Sequence, residues 1–265
     1  MTTAAKRLQH QDVELAYWEH GSGDGPPLLL VHGFTGSSLD WADVVEPLAR
    51  DRRVVTFDHR GHGESTNLGD EAAYSFEQLT DDLTALVDAL ELAPFDLLGH
   101  SMGGMVGMRY VLRDPSPVRS LILMDTAAQP HLAAIDWMKA GIDIARTQGM
   151  PALSEIIAPF VPEGILRDRL LVKYGQMDAA AFAALGEELF GFDDVLSRLA
   201  ALRMPVTVIV GENDAGLRPA ADDLAATIPG AILNVIPDAA HSPQDENQKP
   251  WLEAVQAHLA RLPAR

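Results

Sequence analysis

Short apolar runs alternate with amphipathic stretches along most of the 265-residue chain, and this alternation limits the available folds more than any other feature. Each run is rich in leucine or β-branched residues and contains few polar residues, which is typical of a strand covered on both faces. Strands that alternate with helices predict an α/β fold with a parallel sheet and crossover helices. The predicted parallel strands are 28–32, 54–58, 95–100, 120–125, 206–211 and 231–237. A more alternating stretch at 13–18 predicts an antiparallel strand at the start of the sheet.

The segment 127–202 interrupts this alternation. It contains no convincing strand, only helical patterns that are broken by prolines and by Gly149. It is far too long for a loop, because connections beyond ~15 residues without secondary structure are uncommon in compact domains. We therefore predict a core made of residues 1–126 and 203–265, with 127–202 inserted as a helical cap over the ends of the strands.

Charge and cysteine content exclude several kinds of site and partner. The chain has no cysteine, so disulfides, thiolate nucleophiles and thiolate metal sites are excluded. Its formal net charge of −18 argues against nucleic acid and anionic membrane surfaces, since both are bound by clustered lysine and arginine. No stretch resembles a signal peptide or reaches the ~20 apolar residues of a membrane span. We therefore expect a cytoplasmic protein whose partner is a small, uncharged molecule.

A serine between glycines marks a sharp turn from a strand to a helix. The sequence Gly-His-Ser-Met-Gly-Gly at 99–104 follows one apolar run and opens an amphipathic helical pattern, which is the context of a nucleophile elbow. Glycines on both sides relieve the crowding of such a turn, and the N-terminus of the next helix directs free N–H groups at developing negative charge. The pattern predicts Ser101 as the nucleophile.

A serine nucleophile needs a base, and the base needs an orienting acid. His241 follows the last predicted strand and Asp214 follows the strand before it, so both side chains can reach the same edge of the sheet. The order Ser, Asp, His along the chain is the one that a nucleophile elbow of this kind uses. Asp125 is the rival acid, since it also ends a strand; its alternative role is to cap that strand or to hold the hinge of the cap. The side chain of His100 is expected to project away from the nucleophile.

The oxyanion of the reaction needs two N–H donors. We expect one from the backbone of Met102 and the other from Phe34, in the loop after the strand 28–32. No group of residues has metal-ligand spacing, and the sequence lacks a glycine-rich phosphate loop. We therefore expect no metal and no cofactor.

Taken together, these motifs resemble the α/β-hydrolase superfamily, in its capped branch with a serine nucleophile. The resemblance rests on His-Gly-Phe at 32–34, Asp-His-Arg-Gly-His-Gly-Glu-Ser at 58–65, the elbow at 99–104, Gly-x-x-Asp at 211–214 and His241. It implies a mostly parallel eight-stranded sheet flanked by helices. It also implies a triad of Ser101, Asp214 and His241, with the oxyanion held by the N–H groups of Phe34 and Met102. Haloalkane dehalogenases and epoxide hydrolases of this branch carry aspartate at the elbow, so the serine counts against both.

The resemblance is closest to carboxylesterases and enol-lactonases. It implies a serine hydrolase that cleaves a small carboxylic ester or lactone through an acyl-enzyme. Carbon–carbon bond hydrolases of ring-cleavage products share the triad, although they often carry asparagine where His100 stands, and so do cofactor-free haloperoxidases (perhydrolases). Some plant hormone receptors keep the same fold for ligand binding and have turnover barely above background.

Substrate selection is expected to depend on the cap. Trp137, Met138, Ile142 and Phe160 are candidates to line an apolar pocket there, and each is equally consistent with the interior of the cap itself.

Overall fold

The computed structural model describes residues 4–130 and 135–262, and within them eight strands form a single sheet. The strands are β1 (Lys6–His10), β2 (Val13–His20), β3 (Gly25–Val31), β4 (Arg52–Phe57), β5 (Phe95–His100), β6 (Val118–Met124), β7 (Val206–Gly211) and β8 (Ile232–Ile236). Their order across the sheet is β1, β2, β4, β3, β5, β6, β7, β8. Only the pairs β1–β2 and β2–β4 are antiparallel among the described strands. The predicted mostly parallel eight-stranded sheet is confirmed.

At the two edge strands, β1 and β8, the apolar pattern of the sequence did not predict the structure fully. β1 has the polar sequence Lys-Arg-Leu-Gln-His, so no apolar run announces it. β8 is an apolar run, yet Ile232 and Val235 are exposed, and this strand lies at the edge of the sheet, where it pairs with β7. Polar or charged edges are a common protection against unwanted pairing between sheets.

The helices lie on both faces of the sheet or in the segment between β6 and β7. They are α1 (Val45–Leu48), α2 (Phe76–Ala89), α3 (Met102–Arg113), α4 (Ile135–Ile157), α5 (Ile165–Gln176), α6 (Ala179–Gly191), α7 (Arg218–Thr227), α8 (Pro243–Glu246) and α9 (Gln248–Ala260). None of these helices, within the ranges given above, combines the length and apolar character that crossing a membrane requires.

The apolar runs of the parallel strands are uninterrupted because both faces of the sheet are covered. In β3, Leu29 and Val31 belong to a core shared with α2, α3 and α7, whereas Leu28 and Leu30 belong to a second core shared with α9. All four side chains are fully buried. Successive side chains of a strand point to opposite faces, so each face takes every second residue.

Truncating a side chain in the first core should destabilise the fold. Leu83 of α2 is fully buried, so we expect Leu83→Ala to lower the free energy of unfolding by about 2–5 kcal/mol, through lost burial and the cavity left behind. Urea unfolding measures this loss. Leu171→Ala is the matched control, because Leu171 lies on a helix and is 40% exposed, and it should change the free energy of unfolding by no more than ~0.5 kcal/mol. Equal losses in the two variants would contradict this description of the core.

The described residues of the predicted cap, 127–130 and 135–202, include α4, α5, α6 and two 3-10 turns, whereas residues 131–134 of that prediction lie outside the described residues. Below, the cap means the described residues of this segment. Gly149 bends α4, since its φ of +82° is outside the helical region and Pro151 follows. The cap lies over the carboxyl ends of the strands. The ring of Phe182 packs 4.9 Å from that of Phe34, in the loop after β3, and the N–H of Asp178 donates to the carbonyl of Gly61, in the loop after β4.

Two cations of α5 tie the cap to the core. Lys173 forms an ion pair with Asp40, and Arg169 forms one with Asp43. Asp40 is buried in the 3-10 turn Ser38–Trp41, which follows the loop of Phe34. Burial opposes the ionisation of Asp40, but the charge and hydrogen bond of Lys173 hold the pKa of that carboxyl below its usual value. The cap is therefore fastened where the chain leaves β3.

Candidate active site

Ser101 stands at the turn between β5 and α3, in strained backbone geometry. Its φ of +51° is a conformation that residues other than glycine rarely adopt, and its N–H donates to the carbonyl of Met124 at 2.8 Å. The flanking glycines are required by close backbone contacts. A Cβ on Gly99 would lie 2.5 Å from the carbonyl oxygen of Gly103, and one on Gly103 would lie 2.3 Å from that of Val31. The turn thus presents the serine at the carboxyl end of the sheet.

The structure brings Ser101, His241 and Asp214 into one hydrogen-bonded chain. The Nε2 atom of His241 lies 3.1 Å from the Oγ of Ser101, and its Nδ1 atom lies 2.7 Å from the Oδ2 of Asp214. His241 comes from the loop between β8 and α8, and Asp214 from the turn after β7. Burial opposes the ionisation of Asp214, but the hydrogen bond and charge of His241 keep the pKa of this carboxyl below its usual value. An ionised acid, an imidazole and a hydroxyl in this order can act as a base-activated nucleophile.

The predicted oxyanion donors lie in two segments that adjoin Ser101, the predicted nucleophile. Met102 directly follows Ser101 and opens α3. The loop that holds Phe34 passes against Ser101, since a Cβ on Gly33 would lie only 2.9 Å from the Cβ of Ser101. The ring of His32 fixes that loop: its Nε2 accepts the N–H of His59, and its Nδ1 donates to the carbonyl of Gly33. The placement agrees with the expected roles of Phe34 and Met102, which remain predictions.

The loop that carries His241 is held by two side chains that sequence reasoning did not assign to it. The Nε2 of His100 donates to the backbone carbonyl of His241 at 2.7 Å, which fixes the tautomer of His100 because a carbonyl only accepts. Burial and the nearby charge of His241 lower the pKa of His100 to about 4, so it stays neutral. On the other side, the carboxylate of Glu246 accepts the N–H groups of Ala240 and Ser242. Both contacts fix the position of His241, the predicted base.

Removing the donor on His100 should weaken catalysis without abolishing it. We expect His100→Ala to lower kcat/KM for ester hydrolysis by about tenfold, because one hydrogen bond to the His241 loop is worth ~1 kcal/mol or somewhat more. His100→Gln, whose amide can donate to the same carbonyl, should recover part of the loss. Steady-state kinetics of both variants measure the effect, with His20→Ala as a control at a distance from the site. Alanine and glutamine variants of equal, unimpaired activity would contradict the positioning role.

Asp125, the rival acid, lies next to the triad but does not take the place of Asp214. Its Oδ1 accepts the N–H of Gly211 at 2.9 Å, and no hydrogen bond joins it to His241 among the residues described. A candidate cation site needs several ligand atoms close together. Here one ligand atom from each of Asp125, Asp214 and His241 lies within 4.8 Å of the other two. In that set the Nδ1 of His241 is already engaged with Asp214.

The four candidate pocket residues lie in different environments. Ile142 is buried inside the cap, where it packs against Gly186. Phe160 is 85% exposed, and Trp137 is 54% exposed. Met138 is partly buried against the apolar core. The pocket roles of these four residues remain predictions.

Comparisons with known proteins agree with the fold. A family model described as alpha/beta hydrolase fold matches residues 26–150. The 3-oxoadipate enol-lactonase 2 of Acinetobacter baylyi is 29% identical over 266 residues, which cover 96% of each chain. RutD of Agrobacterium fabrum, provisionally named a carbamate hydrolase, is 30% identical over 69% of each chain. A thermophilic esterase from Thermogutta terrifontis, solved with malate bound, superimposes with a TM-score of 0.85 at 28% identity, covering 99% of this chain and 100% of its own.

Proposed function

The chain belongs to the alpha/beta hydrolase fold family, and from that premise we propose that it is a serine hydrolase of small carboxylic esters or lactones. The observation that carries this proposal is the continuous chain from Ser101 Oγ through His241 to Asp214, with distances of 3.1 and 2.7 Å. A hydroxyl is a weak nucleophile at neutral pH, and a base within hydrogen-bonding distance is what activates it.

The proposed reaction has two steps. His241 takes the proton of Ser101 as its Oγ attacks the substrate carbonyl, and the N–H groups of Phe34 and Met102 hold the resulting oxyanion. Asp214 orients the imidazole and stabilises its cationic form. The imidazolium then protonates the leaving alkoxide. Water activated by the same imidazole cleaves the acyl-enzyme and restores Ser101.

The kind of substrate follows from the relatives and from the charge. The relatives named above are called an enol-lactonase, a carbamate hydrolase and an esterase, and all three substrate types have a carbonyl bonded to a heteroatom that leaves. A chain with a net charge of −18 does not attract polyanionic substrates. We therefore place small, uncharged esters and lactones first.

Carbon–carbon bond hydrolysis, perhydrolysis and ligand reception without turnover are the alternatives to test. A panel of short p-nitrophenyl esters, a γ-lactone, a ring-cleavage dienoate and acetate with hydrogen peroxide separates them by kcat/KM. We expect the ester or the lactone to be turned over fastest, and a fluorophosphonate to label the peptide that contains Ser101. Labelling at another residue, or turnover of every substrate at the background rate, would reject the proposed function.

A further inference from the structure

Asp125 is a buried carboxyl group that the proposed reaction does not use. It follows β6, is 1% exposed, and has a φ of +41°, a conformation that strains any residue with a side chain. Its N–H donates to the carbonyl of Ile209, and its Oδ1 accepts the N–H of Gly211, so backbone contacts with β7 fix the orientation of the carboxyl. β7 is also the strand from whose end Asp214 projects.

The second oxygen of Asp125 is left without a donor. Its Oδ2 is buried and has no hydrogen-bond partner within residues 4–130 and 135–262. The groups that face this carboxyl are those of Asp214, His241 and Glu246, from the turn after β7, the loop after β8, and α8. Two of the three are carboxylates and offer no proton. An ionised Asp125 would therefore stand beside Asp214 with an unpaired negative charge, which is costly at a buried position.

We infer that Asp125 is held as a neutral acid whose Oδ2–H donates to the carboxylate of Asp214, so that it positions the triad acid. A proton on Oδ2 supplies the missing donor and removes the repulsion between the two carboxyls. Burial, together with the charges of Asp214 and Glu246, raises the pKa of Asp125 to about 9. The hydrogen bond also helps keep Asp214 ionised, because it favours the charged form of the acceptor. Asp125 thus acts through Asp214 and touches no reacting atom.

Two substitutions distinguish a role of Asp125 as a hydrogen-bond donor from a role as a negative charge. Asp125→Asn keeps a carbonyl for the N–H of Gly211 and offers an N–H to Asp214, whereas Asp125→Ala removes both contacts. We expect Asp125→Asn to retain kcat/KM within about threefold at pH 7, and Asp125→Ala to lose about tenfold or more, as expected for a charge-assisted hydrogen bond. The kinetic readout is ester hydrolysis, so the inference rests on the proposed function.

The pH profile gives a readout that a purely structural role would not move. As the pH rises through about 9, Asp125 ionises in the wild type, the donor is lost and a like charge appears beside Asp214. We expect kcat/KM of the wild type to fall over that range, and the Asn variant to show no such fall. If the pH profiles of the wild type and of Asp125→Asn superimpose, the inference is overturned. An Asn variant as impaired as the Ala variant would also overturn it, because it would mean that the charge of Asp125 is what matters.

A measurement that needs no substrate completes the test. A raised pKa in the folded state means that the folded protein holds a proton that the unfolded chain releases above its ordinary value of 3.8. The wild type should therefore lose stability relative to Asp125→Asn as the pH rises from 4 to about 9. The infrared band of a protonated carboxyl should be present in the wild type at pH 7.5 and absent from Asp125→Asn. If these signals are missing while Ser101→Ala is inactive, the inference fails and the proposed function stands; if Ser101→Ala is active, the proposed function fails.

Discussion

Replacing Ser101 by alanine is expected to lower kcat for ester hydrolysis by roughly a million-fold, the scale of loss when the nucleophile of such a triad is removed. No other hydroxyl is hydrogen-bonded to Nε2 of His241 in the part of the chain that the structure describes, so no second nucleophile stands ready. The remaining rate should come from the oxyanion donors and from substrate binding, which are independent of Oγ. KM should change far less than kcat.

The measurement is steady-state turnover of a short p-nitrophenyl ester, together with fluorophosphonate labelling. Ser116→Ala is the matched control, since it is the same substitution at an exposed serine, and it should keep kcat within about twofold. Circular dichroism before and after heating establishes that both variants are folded. A Ser101→Ala variant that retains a tenth of the wild-type kcat would rule out an acyl-enzyme on Ser101.

Asp214→Asn should lower kcat/KM by about 10,000-fold, since an amide in place of the acid reverses the direction of the hydrogen bond. Asp214 accepts the Nδ1–H of His241, which leaves Nε2 free to take the proton of Ser101. An amide N–H would donate to Nδ1 instead. The imidazole proton would then sit on Nε2, where it blocks the step that activates the serine.

Nitrogen NMR of the imidazole reports this change of tautomer directly, and steady-state kinetics measure the resulting loss of kcat/KM. Asp222→Asn is a matched surface control on α7 and should leave both unchanged. A loss of less than tenfold in Asp214→Asn would mean that Asp125 orients His241. The double variant Asp125→Asn with Asp214→Asn would then be much less active than either single variant.

The sheet was predictable because the pattern behind it is local. Leu28, Leu29 and Leu30 form an uninterrupted apolar run since alternate residues feed two different cores, and this leaves a clear signature in the sequence. The same rule fails at the edges. β1 has no apolar run to find, and the apolar residues of β8 suggested burial on both faces that an edge strand does not have.

The tight turn at Ser101 was predictable for a similar reason, because Gly99 and Gly103 leave no space for larger side chains on either side of it. The contacts that hold the loop of His241 were not predictable from the sequence. His100 reaches the carbonyl of His241 across 141 positions of the chain, and only the three-dimensional arrangement of strand ends creates that contact. Asp125 and Asp214 both follow strands, so position alone could not choose between them. The pocket stayed open because apolar residues of a cap serve its interior and its cavity equally well.

If the proposed function holds, the ion pair between Lys173 and Asp40 couples the position of the cap to the loop of Phe34, the predicted oxyanion donor. Asp40 follows the loop that holds Phe34, and Lys173 sits on a helix of the cap. If α5 swings outward by more than a hydrogen bond can stretch, it must either break this pair or pull the turn of Asp40 with it. Under the proposed function, a bulky molecule that forces the cap open would disturb the loop predicted to stabilise the oxyanion. A molecule small enough to enter past a stationary α5 would leave that loop undisturbed.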